Sequence, residues 1–414
     1  MRNRAVNGLR QHIIFTSLLV MPCGLFAGRA VLSLSMILFF VAAFVHTNAW
    51  KQLKQFVASP LLLAFAFLFL IPFISGLWSQ DRAAWLDVMR TKLPLLMLPL
   101  AFAGQWQLPE KKWRYLAWLL LLLVVGGTIW SVMTYLMDKQ SVQESYLRAK
   151  LIQTPLENDH VRFSWLVNAA ILTGGVLLKG NKNSTQRMII LSLMAWLILY
   201  LHILSARTGL VCFYLSLLAF GVYYAVSQRS KVITSVLLST FILLPVFAWF
   251  ALPTFANRVR YIRYDLPLAF DQTYLPGSND GNRTLSFQAG WNLLKENFFG
   301  VGAGDVEQKA AGWYAAHVPG MLPQDKLLPS SQWLMYGCAA GWPGLAAFSL
   351  VMLVPYFAQS TRHKFYWLLL NATLAVSLLF DIGLEVQYGV FLFAFFVLWW
   401  YKWLLPQPVG ELNP

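Results

Sequence analysis

Two arginines stand where a cation is costly. Arg207 lies in Ser205-Ala206-Arg207-Thr208-Gly209, between two apolar runs each close to a full membrane crossing, so the turn has almost no loop in which to hide a charge. A guanidinium at or just below a membrane surface costs energy unless an anionic or polar group receives it. Arg207 either snorkels to the surface or serves a ligand, and we read it as functional. Arg283 follows Asp280-Gly281-Asn282; with Asn282 as the expected N-cap it would fall in the first turn of a helix, where a cation opposes the helix dipole. An anion held between free backbone N–H groups and the guanidinium would remove that conflict, a geometry suited to phosphate. A solvated arginine is the alternative. His160 and Arg162 stand at the mouth of another apolar run, either as surface anchors or as part of an anionic pocket. Asp381 and Glu385 are spaced i, i+4 in a short connection, so a continuing helix would put both on one face, to balance Arg207 or to orient a hydroxyl-bearing substrate.

Other chemistry is weakly signalled. Gly300-Val301-Gly302-Ala303-Gly304-Asp305 superficially resembles a nucleotide loop, but no βαβ unit precedes it, and it is expected to end a helix and turn the chain back. The six histidines are scattered, with no HExxH or EF-hand pattern, so neither a metal nor a cofactor is expected. Cys23, Cys212 and Cys338 lie in or beside apolar stretches with no CxxC spacing and indicate no disulfide framework.

The elements that must position these residues are membrane helices. Of 414 residues, 58% are hydrophobic and only 12% charged, and the mean hydropathy is +0.56, which excludes water-soluble and disordered readings. The fold class is therefore an all-α integral membrane protein, a single polytopic domain over residues 1–414. Apolar length and polar punctuation give about 12 transmembrane helices, the first at 13–26. The rest follow at 30–46, 58–78, 93–105, 115–137, 161–178, 188–206, 208–228, 232–252, 333–358, 365–381 and 387–404. The first resembles a signal peptide but lacks a convincing cleavage site at Pro22-Cys23-Gly24. Pro94 and Pro99 make the fourth a kinked or partly inserted helix. A large loop, 253–332, separates spans nine and ten and includes an amphipathic segment, Arg283 to Phe299, with Leu285, Ala289, Leu293 and Phe298 on one face. It is expected to lie along the membrane surface or cap a cavity.

The formal charge of +15 would suggest nucleic acid in a soluble chain. With the N-terminus inside, however, the inner connections hold 16 of the 32 Lys and Arg against two acids, Glu110 and Glu411, a balance of +14. The other 16 basic residues meet 15 acids outside, a balance of +1. The excess is the positive-inside bias, with both termini cytoplasmic and no nucleic-acid partner required.

Several segments together resemble the O-antigen ligase and Wzy-type polymerase family, most closely O-antigen ligase. They are Leu204-Ser205-Ala206-Arg207-Thr208-Gly209, Arg283 followed by Trp291 to Asp305, Pro329-Ser330-Ser331-Gln332-Trp333-Leu334 ahead of Gly341-Trp342-Pro343-Gly344-Leu345, and Leu384-Glu385-Val386-Gln387. The resemblance covers about 160–404 by motif and implies a GT-C-like, metal-independent, inverting glycosyltransferase of the bacterial inner membrane, active at the periplasmic face in lipopolysaccharide biosynthesis. Its partners would be membrane lipids, an undecaprenyl diphosphate-linked glycan, and lipid A-core as acceptor, or another repeat unit if the chain is a polymerase. A transporter or flippase of a lipid-linked or anionic substrate is the reading from another class. Arg207 and Arg283 would stabilise the diphosphate, position 330 would face the acceptor, and His160, Arg162, His317, Gln332, Asp381 and Glu385 would contact substrate. The chain departs from the family at Ser330, where the resemblance implies a histidine that activates the acceptor. Either the position carries a substitution, or His317 or a carboxylate takes the role, or the chain is a divergent member.

Overall fold

The computed structural model describes residues 2–45, 48–148, 150–271, 274–358 and 362–404; Glu411, counted above among the inner acids, lies outside them. The described residues form helices and connections with no strand. The first half of the chain folds into α1 (Arg2–Ala27), α2 (Arg29–Phe44), α3 (Ala49–Ala58), α4 (Pro60–Ser75), α5 (Arg82–Lys92), α6 (Pro94–Phe102), α7 (Glu110–Met137), α8 (Lys139–Ser145) and α9 (His160–Leu178). It continues through α10 (Ser184–Leu204), α11 (Arg207–Val226) and α12 (Lys231–Ala251). The large loop holds α13 (Pro253–Asp271), α14 (Asn279–Glu296) and α15 (Val306–His317), and α16 (Gln332–Leu353), α17 (Lys364–Leu379) and α18 (Gln387–Leu404) complete the bundle. Several starts are set by side-chain caps: Asp159 accepts from the Arg162 N–H at 3.1 Å, Asn183 from that of Gln186 at 3.1 Å, and Ser278 from that of Gly281 at 3.0 Å.

Eight helices among the described residues are long and apolar enough to cross a membrane: α1, α4, α7, α9, α10, α11, α12 and α16; α2 with α3 makes a ninth if a bent pair counts as one. The other expected spans are present as shorter or less apolar helices. Pro94 and Pro99 limit α6 to nine residues, α17 has 16, and α18 is rich in Trp and Tyr. α18 is the innermost helix, buried along nearly its whole length among aromatic neighbours.

The charged residues sort to two ends. At one, Arg362 pairs with Glu110 at 2.5 Å, Lys402 donates to the Gly104 carbonyl at 3.1 Å, and Arg10 donates to those of Ala42 and Ala43. At the other, with the large loop, lie the pairs Arg29–Glu157, Lys92–Glu385, Arg162–Asp381 and Arg207–Asp280.

The loop has a core of its own. Leu285, Ala289 and Leu293 of α14 pack with Val306, Ala310 and Tyr314 of α15 and Met335, Cys338 and Ala339 of α16. This corrects the amphipathic-helix expectation: α14 is packed on several sides, and Phe298 falls beyond its end and is exposed. The glycine run closes the unit. Gly341 (φ 69°), just ahead of Trp342-Pro343, interrupts α16, and the freed carbonyls of Cys338 and Ala339 accept from Val301 N–H at 2.8 Å and Gly302 N–H at 3.0 Å. A side chain at 341 would collide with the Phe298 carbonyl, so glycine is required there on two counts.

Candidate active site

At the loop end the helices enclose a cavity of ≈ 330 Å³, lined by Arg207, Thr208 and Val211 of α11, Leu266 of α13, Asp280, Arg283, Thr284 and Phe287 of α14, and Val376 and Phe380 at the end of α17. Arg207 and Arg283, singled out from sequence in separate segments, thus share one wall. Arg207 is placed by a two-residue turn in which Ser205 adopts a left-handed conformation (φ 52°) and its hydroxyl donates to the His202 carbonyl at 2.5 Å. Tyr146 donates to the last carbonyls of α10, at 3.0 Å to Ile203 and 3.1 Å to Leu204. Ser164 sits against Gly209, where any side chain would collide, so α9 and α11 approach closely and the turn is held from below.

Arg283 arrives by a different route from the one expected. The N-cap of α14 is Ser278, not Asn282, and Arg283 lies beyond the first turn. The free N–H groups are already served: the buried Asp265 carboxylate accepts from Asn279 N–H at 3.1 Å, Asp280 N–H at 2.7 Å and the Ser278 hydroxyl at 2.6 Å. The anion at this helix start is therefore an aspartate of the chain itself, matched to the dipole. The Arg283 guanidinium instead donates to the carbonyl of Phe380.

The charges around the cavity are only partly matched. Arg207 ion-pairs with Asp280 through one nitrogen, while its Nε and Nη2 are buried with no hydrogen-bond partner, as is Asp280 Oδ2. Burial lowers the Arg283 pKa, Asp381 opposes that shift, and Arg207 adds to it. Arg162 bridges Asp159 at 3.0 Å and Asp381 at 2.9 Å. Asp381 is held above the ordinary carboxylate range, chiefly by burial and against the pull of Arg162.

The remaining sequence candidates divide. Asp381 and Glu385 do not share a helical face, since residues 383–385 form a 3₁₀ turn, and neither balances Arg207, whose partner is Asp280. Glu385 instead meets Lys92 at 2.5 Å and the Gln332 amide at 2.7 Å; Gln332 also accepts from Leu384 N–H at 2.8 Å. Glu385 and Gln332 thus clamp the α17–α18 connection. His160 opens α9 with Nδ1 3.1 Å from the Thr154 hydroxyl. Ser330 is buried, 2.8 Å from the Ser286 hydroxyl, and lines no part of the cavity. His317 is exposed at the end of α15, stacked on Trp313 at 4.5 Å, and likewise lines none of it.

Residues 184–349 match the family model described as O-Antigen ligase. Over this stretch the chain is similar to the O-antigen ligase family. The stretch runs from the start of α10 into α16 and carries Arg207, Asp280, Arg283, His317, Ser330 and Gln332, while His160, Arg162, Asp381 and Glu385 reach the site from outside it. With eight described helices long and apolar enough to cross a membrane, the chain is a multi-pass membrane protein that is similar to this family over that stretch. Comparison with curated proteins gave no match.

Sequence reasoning missed four residues in and around this site. Asp280 stands in the sequence only as the residue ahead of Gly281-Asn282-Arg283, and Asp265 and Arg258 carry no pattern that singles them out. Lys92 was legible in principle, as a lysine directly ahead of an apolar run on the side poor in net positive charge.

Proposed function

We propose that the protein transfers a glycan from undecaprenyl diphosphate to lipid A-core oligosaccharide at the periplasmic face of the inner membrane, inverting the anomeric carbon without a metal. The observation that carries this reading is the shared cavity: two arginines from separate segments, Arg207 and Arg283, line one wall, and Val211, Leu266, Phe287, Val376 and Phe380 supply apolar surface. A diphosphate on a polyprenyl chain has the same two-part character. Cations fixed in place before reaction stabilise the charge that develops on the leaving diphosphate as the sugar's C1–O bond breaks, the acceptor hydroxyl oxygen bonds to C1 and that hydroxyl releases its proton to solvent. Arg207 and Arg283 hold the leaving group, and the Arg162–Asp381 pair reaches Arg283 electrostatically. Position 330 is assigned to the acceptor side, reached through Ser286, which lies on α14 one turn from Arg283.

The test is an in vitro reaction with purified carrier-linked glycan and lipid A-core. Arg207→Ala and Arg283→Ala are each expected to lower kcat by about a hundredfold, the cost of removing one preorganised charge donor. Full activity in both variants would overturn the assignment. Joining of repeat units to one another without transfer to lipid A-core would make the chain a polymerase, and transport into liposomes with no glycan joined would make it a transporter.

A further inference from the structure

Among the described residues, Arg258 of α13 is a buried charge with no ion-pair partner. It is only 5% exposed, and its Nε and Nη1 are buried with no hydrogen-bond partner. Its guanidinium rests 5.2 Å from the centre of the Tyr261 ring, within electrostatic reach of Arg207 and Asp280. It does not line the cavity. A buried cation is costly unless paired, and a ring face offsets only a small part of that cost. Two like charges side by side increase it.

Among the described residues, Asp280 is the only carboxylate ion-paired to any of Arg207, Arg258 and Arg283. Asp280 pairs with Arg207 alone, and Asp381, which reaches Arg283 electrostatically, is itself ion-paired to Arg162, so Arg258 is left without a carboxylate of its own. The orphaned atoms are complementary: Asp280 Oδ2 is an acceptor without a donor, and Arg258 Nε and Nη1 are donors without an acceptor. Arg207 has two further free nitrogens, Nε and Nη2.

We propose that Arg258 is a reserve partner for Asp280. When a diphosphate ester with two negative charges draws Arg207 into the cavity, Asp280 passes to Arg258 and is not left as an unpaired buried carboxylate. Arg258 is thus a positioning residue that frees Arg207, and it tunes the site for a doubly charged ligand over a singly charged one. This rests on the reading that Arg207 and Arg283 receive the donor's diphosphate.

The experiment is calorimetric titration of the detergent-purified full chain with inorganic pyrophosphate and, separately, inorganic phosphate. Wild type is expected to bind pyrophosphate more tightly, and Arg258→Gln to weaken pyrophosphate by about tenfold. Arg258→Lys, which keeps the charge, is expected to stay within about threefold of wild type. In an Asp280→Asn background Arg207 is already released, so adding Arg258→Gln should cost little more, the coupling a double-mutant cycle reads. Wild-type affinity in Arg258→Gln, with Arg207→Ala weakened, overturns the role of Arg258 and leaves the diphosphate reading standing. Unchanged affinity in Arg207→Ala as well overturns that reading. An undiminished tenfold loss in the Asp280→Asn background shows that Arg258 does not act through Asp280. Should Arg258→Gln fail to fold, a tenfold loss in Arg258→Lys overturns the proposal, because a lysine preserves the charge on which it depends.

Discussion

At Asp381 two effects on a carboxylate oppose each other and burial wins. Arg162, 2.9 Å away, favours the ionised form, yet the pKa stays above the ordinary range. A raised folded pKa contributes stability that is fully present below the unfolded value, near ~3.9, and is lost as pH rises through the folded value. Asp381→Asn removes that titration. The wild type is therefore expected to gain in thermal stability relative to Asp381→Asn as pH falls from 7 toward 4, measured by unfolding in detergent; a pH-independent difference would show that the carboxyl is not perturbed. The same scale shows why Ser330 was hard to read from sequence. A serine in place of the family's histidine invited a search for another base, but the hydroxyl bonds to Ser286 and joins the loop end to α14.

α14 carries Asp280, Arg283 and Ser286 on successive turns, so its start sets the register of the whole wall. Asp265 fixes that start by receiving two backbone N–H groups and the capping hydroxyl of Ser278. Asp265→Ala leaves buried donors unsatisfied and is expected to destabilise the protein by about 2 kcal/mol and to lower transfer activity with it. Loss of activity without loss of thermal stability would instead point to a direct role in the reaction. How much of the site was legible in the sequence follows from how each residue is held. Arg207 was visible because its turn has no length to spare, a constraint local to five residues. Asp265, Asp280 and Arg258 were not, because they lie within the one long polar segment and their roles come from contacts 13 to 73 residues apart along the chain. The N-cap was misplaced by four residues for a similar reason: Ser278, Asn279, Asp280 and Asn282 are all cap-forming types, and Asp265 decides among them through a tertiary contact.

Over the whole molecule, the sorting of charge into two ends was readable from the sequence, since alternate connections must fall on alternate sides of a bilayer. Lengths of the individual crossings were not. Proline-limited α6 and aromatic-rich α18 are sheltered by neighbouring helices and need not match a lipid-facing span. The orientation itself is expected from the +14 bias and is testable by labelling. In a background without the three native cysteines, Lys309→Cys, exposed on α15, should react with a membrane-impermeant thiol reagent in intact spheroplasts. Lys182→Cys, exposed between α9 and α10, should react only after lysis. The opposite pattern would invert the protein and move the cavity to the cytoplasm.

α12 places that cavity under an outside influence. Of its 21 residues only Ala248 is buried, and it leads directly into α13, the helix that carries Arg258 and Asp265. One end of the large loop is thus hung on a helix that packs against α11 along one face and is otherwise left exposed by the rest of the protein. A crossing of this kind tilts to match the hydrocarbon thickness around it. The spacing between Arg258 and the Arg207–Asp280 pair is therefore expected to respond to bilayer thickness, which pyrophosphate affinity measured in bilayers of different acyl length would check.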